Sequence, residues 1–164
     1  EDIYFEIIRK KTASLIASCC ACGATSSGAD PNAIQKMQSF GENVGMAFQI
    51  KDDLFDYNND GLSGKPNGTD IKEKKMTLPL IYMLSDLNYY DRRKVINIVK
   101  NHNDEPDKVA EVIEKVNKSG GIEYATKKMM EYKDEALNIL NDFPDSPSRR
   151  SLEELVIYTT ERKH

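Results

Sequence analysis

Histidine and cysteine are scarce in this sequence, and positive charge is not in surplus. The two histidines, His102 and His164, stand apart from every chemical motif of the chain. Neither is expected to carry acid–base chemistry, and both are expected at the surface or in loops. The three cysteines, Cys19, Cys20 and Cys22, lack paired C-x-x-C spacing and the distant His or Cys partners of a zinc site. They are expected to be reduced core thiols, and their odd number fits a reducing, cytoplasmic setting better than a secreted disulfide scaffold. A formal net charge of −4 argues against a surface built for nucleic acid or anionic lipid, so any basic site must be local. No charged residue occurs from Thr12 to Ala29, but Ser14, Ser18, Gly23, Thr25, Ser26, Ser27 and Gly28 keep that stretch too weakly hydrophobic to span a membrane. It reads as a buried helix lying against other helices. The acidic Glu1 and Asp2 do not resemble the basic start of a secretory leader.

What is present is a row of helical patterns. The 164 residues are about one domain's worth, and a single helical unit spanning 1–164 is expected. Asp30-Pro31 reads as an N-cap with proline at the first helical position, and Ile34, Met37, Phe40, Val44, Ala47, Phe48 and Leu54 then keep helical spacing to about Tyr57. A polar, glycine-rich loop comes next, through Gly61, Gly64, Pro66 and Gly68. The next helix is expected from about Met76, with Pro79 in its first turn and Leu80, Ile81 and Leu84 on its apolar side. Leu87, Val95, Ile98 and Val99 mark another. Val109, Val112, Ile113 and Val116 mark the one after, started by Glu105-Pro106 and stopped by Gly120-Gly121. Ile122 to Leu140 and Leu152 to Thr159 complete the pattern. With no strand pattern and no repeat, the fold class is all-α, a helical bundle.

One helix face concentrates acid. At 100° per residue, Gln49, Asp52, Asp53 and Asp56 fall within an arc of about 100°. Carboxylates so crowded repel unless a cation or a hydrogen-bonding partner neutralises them. The D-D-x-x-D spacing therefore suggests a metal site. Mg²⁺ suits it, because that ion takes one or two carboxylates, keeps waters, and draws its remaining ligands from substrate phosphate. Lysines lie on either side in sequence, Lys10 and Lys11 before the acidic helix and Lys65, Lys74 and Lys75 after it, with Asp70 among them. Ammonium groups hold phosphate as point charges, and glycines let backbone N–H groups approach it.

Taken in order, Lys11-Thr12-Ala13, Phe48-Gln49-Ile50-Lys51-Asp52-Asp53-Leu54-Phe55-Asp56, Gly64-Lys65-Pro66-Asn67-Gly68-Thr69-Asp70-Ile71 and Lys75-Met76-Thr77-Leu78-Pro79-Leu80 resemble the trans-polyprenyl diphosphate synthases, including bacterial octaprenyl- and farnesyl-type enzymes. Tyr158 to Arg162 is similar to that family's C-terminal helix. The resemblance covers essentially the whole chain and implies the C-terminal half of an isoprenoid synthase-type fold. The family's first aspartate-rich motif and its paired arginines do not occur in these residues. By the same resemblance, Asp52, Asp53 and Asp56 would hold Mg²⁺ with an allylic prenyl diphosphate, and Asp70 would act through a metal-bound water. Lys11, Lys65 and Lys75 would contact diphosphate oxygens. Thr12 and Gln49 would lie near the reacting carbons, where oxygen dipoles stabilise a developing allylic cation. The implied reaction is prenyl transfer to isopentenyl diphosphate by a homodimer.

Other readings compete on specific residues. Asp56, Asn58, Asp60 and Gly61 open like an EF-hand loop, but Asn67 stands where its bidentate Glu belongs. A non-catalytic helical partner of a prenyl synthase would be expected to show a degraded acidic cluster, and here the cluster is intact. A terpene cyclase fits less well because the Gly64-Lys65 to Asp70 loop looks like that of chain-elongating enzymes. The pairs Tyr89-Tyr90 and Met129-Met130 read as packing residues.

Overall fold

The computed structural model describes residues 1–57 and 68–162. Their helices run in the order α1 Asp2–Ile8, a π-helical turn Arg9–Ala13, α2 Ser14–Ser26, α3 Pro31–Phe55, α4 Thr69–Lys72, α5 Leu78–Asp86, α6 Tyr89–Asn101, α7 Pro106–Lys118, α8 Gly121–Asn141 and α9 Pro147–Glu161. Among the described residues there is no strand, as the all-α expectation required. No described helix is long and apolar enough to cross a membrane. By contacts the chain divides into two compact units, one of residues 52–126 with Glu1 and one of residues 2–51 and 127–162. The boundaries fall inside α3 and inside α8.

The unit of residues 52–126 is built on α5, α6 and α7. Its core joins Ile71, Leu80, Met83, Val95, Ile98, Val99, Val109, Val112 and Val116, all buried. Each such side chain contributes about 1.5–3 kcal/mol relative to exposure. Local signals set the helix ends. Asn88 caps α6 by accepting from the backbone N–H groups of Tyr90 and Asp91 at 3.0 and 3.1 Å. Pro106 opens α7, and Gly120, at φ 81°, closes the turn after it. α5 starts two residues later than the Met76 expectation. A start at Met76 would place Pro79 where the first intrahelical N–H bond is made, and proline has no N–H to give; starting at Leu78 puts it in the first turn without loss.

In the unit of residues 2–51 and 127–162, α3 lies along the α1–α2 rod. Their seam is made of small residues. A Cβ added at Gly45 would sit 2.5 Å from the Ala13 Cα, and one at Gly41 would sit 2.8 Å from the Ala17 Cα. Only glycine permits backbones this close. Farther along, Phe40, Val44, Ala136, Leu140 and Val156 form an apolar core between α3, α8 and α9. Asp30 caps α3 by accepting from the Ala33 N–H at 2.9 Å, and Ser146 caps α9 by accepting from the Arg149 N–H at 3.1 Å.

Three packing expectations are corrected. The uncharged stretch from Thr12 is buried on one side only: Ala13 and Ala17 are covered, whereas Leu15 is 67% exposed. Cys19 and Cys22 are exposed free thiols, because they point away from the seam with α3, whereas the free thiol Cys20 is half-buried and packs against the core that includes Phe40 and Val44 of α3. Tyr89 and Tyr90 pack edge to face with each other in the first turn of α6, outside the core, and Tyr90 is 83% exposed. Met129 is buried as expected, and His102 lies at the surface beside Glu105 at 2.7 Å. His164 lies outside the described residues.

Candidate functional site

α3 carries Asp52 and Asp53 on its last turn and ends at Phe55. Asp56 sits in the turn that closes the helix, its N–H donating to the Asp53 carbonyl at 3.4 Å. Asp52 is exposed, Asp53 is buried and Asp56 is half-buried. The chain returns beside them at Gly68, whose N–H donates to the Asp56 carbonyl at 3.1 Å. Two constraints select glycine there: φ is 78°, and a Cβ would meet the Val109 side chain at 2.4 Å. The contact with Val109 fixes where α4 begins, and the Asp70 N–H then donates to the Asp56 carboxylate at 3.1 Å.

Electrostatics make this an anion-rich corner with the Lys75 cation set into it. Burial first, and the nearby Asp70 carboxylate second, push Asp56 up to about 6 from its ordinary 3.8. The Lys75 ammonium lies 2.9 Å from Asp70 and 2.6 Å from Glu73. Those two acids, Glu73 foremost, hold it firmly protonated. Lys75 is therefore a fixed positive charge beside the acidic corner, half exposed to solvent. Behind the corner, the buried Tyr57 hydroxyl and the Thr77 hydroxyl are 2.5 Å apart, pinning the end of α3 to the start of α5.

The second group of predicted residues is in the other unit. The π-helical turn Arg9–Ala13 carries Lys10, Lys11 and Thr12. Such turns displace one residue from the regular helical register and are frequent at functional sites. Lys11 is exposed and Lys10 pairs with Glu6 at 2.6 Å. The Thr12 hydroxyl donates to the Gln49 side-chain oxygen at 2.9 Å, so two residues expected to act together do meet. Lys65 lies outside the described residues.

Among the described residues, no three His, Cys, Asp or Glu side chains converge to hold an ion by themselves. The donor chemistry still fits Mg²⁺. Asp56 and Asp70 are hard oxygen ligands sharing one corner at a cost in repulsion, and a divalent cation whose remaining ligands come from water and phosphate would relieve it. Sequence reasoning missed three features. The π-helical turn has no propensity signature. Tyr57 and Thr77 are linked only by the fold, although a threonine two residues before Pro79 was a polar residue at a helix start. Lys74, at φ 59°, is a left-handed residue that no glycine announced.

Residues 1–116 match the Polyprenyl synthetase family. The chain belongs to that family. It is 36% identical to the short chain isoprenyl diphosphate synthase of Methanothermobacter thermautotrophicus, an alignment covering 100% of this chain and 50% of that protein. It is 34% identical to the heptaprenyl diphosphate synthase component 2 of Geobacillus stearothermophilus, over 98% of this chain and 49% of that one. Among solved structures, a polyprenyl synthase from Caulobacter crescentus CB15, complexed with calcium and isoprenyl diphosphate, superposes with a TM-score of 0.89 at 30% identity, covering 100% of this chain and 50% of that one. The chain thus spans about half the length of the polyprenyl synthetase relatives it matches.

Proposed function

We propose that this chain carries one diphosphate- and Mg²⁺-binding half of a prenyltransferase active site, and that the protein condenses isopentenyl diphosphate with an allylic prenyl diphosphate. The observation carrying this reading is the Asp56–Asp70–Lys75 corner. Its two like-charged carboxylates and one protonated amine match what a metal-bound diphosphate offers in return. Family membership and the intact Asp52, Asp53 and Asp56 cluster support it. The calcium and isoprenyl diphosphate in the Caulobacter structure support a divalent ion with a diphosphate ligand.

Asp52, Asp53, Asp56 and Asp70 would hold Mg²⁺, which supplies Lewis-acid stabilisation of the departing diphosphate. Lys75 compensates the same charge from the protein side, with Lys11 and Lys65 assigned alongside it through the family motifs. As the allylic C–O bond breaks, its electron pair leaves with pyrophosphate. The double bond of isopentenyl diphosphate then attacks the allylic carbon, and a proton is lost. The Thr12 and Gln49 oxygens are assigned to stabilising the allylic cation. Thr12 donates its own proton to Gln49 and so keeps its lone pairs available.

These 164 residues hold one aspartate cluster where the reaction uses two, so they are proposed to bind the allylic diphosphate without elongating it. They form the C-terminal part of one synthase domain in this reading. A homodimer in the cytoplasm is proposed for the whole enzyme. The relative named as a component 2 favours, as a second arrangement, pairing with a different chain. The test is binding of a thiodiphosphate analogue of farnesyl diphosphate, which resists ionisation. Binding that requires Mg²⁺ supports the reading, and no binding in millimolar Mg²⁺ overturns it.

A further inference from the structure

The C-terminus of α4 is closed by a residue that belongs to none of the motifs. The Lys75 N–H donates to the Asp70 carbonyl at 2.8 Å and the Lys74 N–H to the Ile71 carbonyl at 3.0 Å, with Lys74 left-handed at φ 59°. This paired bonding is how helices end on a left-handed residue, and glycine usually occupies that place. It leaves the Lys72 carbonyl over. Asn103, in the turn between α6 and α7, is 7% exposed and donates its side-chain N–H to that carbonyl at 2.6 Å.

A lysine in the left-handed region is disfavoured and persists only where the surroundings hold it. The residue after it is Lys75, whose amine rests on Asp70 and Glu73. The direction of Lys75 is set by the turn, and the turn is fixed from outside by Asn103. The opposite end of α4 is fixed by Gly68 against Val109 of α7, six residues beyond Asn103 in sequence. One stretch of chain therefore clamps both ends of the single turn that bears Asp70.

We propose that Asn103 is a positioning residue for the diphosphate site, its amide holding the Lys72 carbonyl so that the left-handed turn at Lys74 delivers Lys75 onto Asp70 and toward a bound diphosphate. The inference rests on the diphosphate reading of Asp70 and Lys75. A purely architectural Asn103 would lower the melting temperature and leave the affinity of the folded chain unchanged. A positioning Asn103 lowers that affinity, and does so through Lys75.

The experiment is calorimetric titration of the chain with inorganic pyrophosphate in Mg²⁺, well below the melting temperature, for the native sequence, Asn103→Ala, Lys75→Met and the double variant. Each single variant is expected to lose roughly tenfold in affinity, as outer-shell supports of metal sites do. The double variant is expected to lose no more than Lys75→Met alone. Asn103→Asp keeps the shape but replaces the donating amide with a carboxylate, so it should behave like Asn103→Ala and supplies the answer if the alanine variant does not fold. Native affinity in the Asn103 variants, with Lys75→Met weakened, overturns the role of Asn103 alone. Full additivity in the double variant overturns it too. Native pyrophosphate binding that is absent, or unaffected by Lys75→Met, overturns the site reading and the inference with it.

Discussion

The Asp70 backbone N–H donates to the Asp56 carboxylate across 3.1 Å, while the Asp70 side chain repels the same carboxylate. The two effects oppose each other, and burial tips the balance, so that Asp56 gives up its proton only near pH 6.

This balance makes stability depend on pH. Asp56 is raised from 3.8 to about 6 in the folded chain, so the folded state binds more protons than the unfolded state between those values. Its contribution to stability is full below about pH 4 and is lost as pH rises through about 6. Without ligand, Asp56→Asn should gain in stability on the native chain from pH 4.5 to 7.5, by about 1 kcal/mol after discounting for solvent screening of a half-exposed group. Denaturant unfolding at the two pH values reads this. A constant difference would show that Asp56 does not titrate in this window.

The α2–α3 seam gives a pair of opposite outcomes from the same substitution. Gly45→Ala forces a Cβ to within 2.5 Å of the Ala13 Cα, and overpacking of that kind costs about 1–3 kcal/mol. Gly23→Ala, in α2, meets nothing within 4 Å and should stabilise by roughly 0.5–1 kcal/mol through helix propensity. Thermal melts of both variants test the seam, and equal shifts of one sign would refute it.

Gly68→Ala meets both a positive φ and the Val109 side chain at 2.4 Å. A destabilisation of about 1–3 kcal/mol is expected, together with weaker pyrophosphate binding, since the residue sets where α4, which carries Asp70, begins. Gly68→Ala combined with Val109→Ala relieves the 2.4 Å clash and leaves the backbone strain and a 3.1 Å contact with Ile113, so it should recover part of the affinity. Affinity unaffected by Gly68→Ala would separate the loop return from the site.

Much of this fold was legible because its helix ends are written locally. Asp30-Pro31, Glu105-Pro106 and Gly120 mark termini that the structure keeps. What was not legible depends on partners distant in sequence. α4 is a single turn inside a polar loop, held by Asn103 from 31 residues away, and no periodicity reports four residues. The π-helical turn accompanies the close approach of Ala13 to Gly45, and Arg9–Ala13 alone would make an ordinary helix. For the candidate site, Asp52, Asp53 and Asp56 were legible from their spacing, whereas Asp70 and Lys75 were assigned through the family resemblance. Their ranking was not, since only packing separates a buried Asp53 from an exposed Asp52.

The most direct measurement is the thermodynamic coupling between Mg²⁺ and pyrophosphate on this chain, by calorimetry with and without the ion. If carboxylates and diphosphate oxygens complete one coordination sphere, each ligand should tighten the other by the same factor, about 5- to 150-fold for couplings of 1–3 kcal/mol. Asp52→Ala and Asp53→Ala should each reduce that factor. Binding without coupling in the native chain, or an unchanged pyrophosphate affinity in both aspartate variants, would contradict the metal–diphosphate assignment.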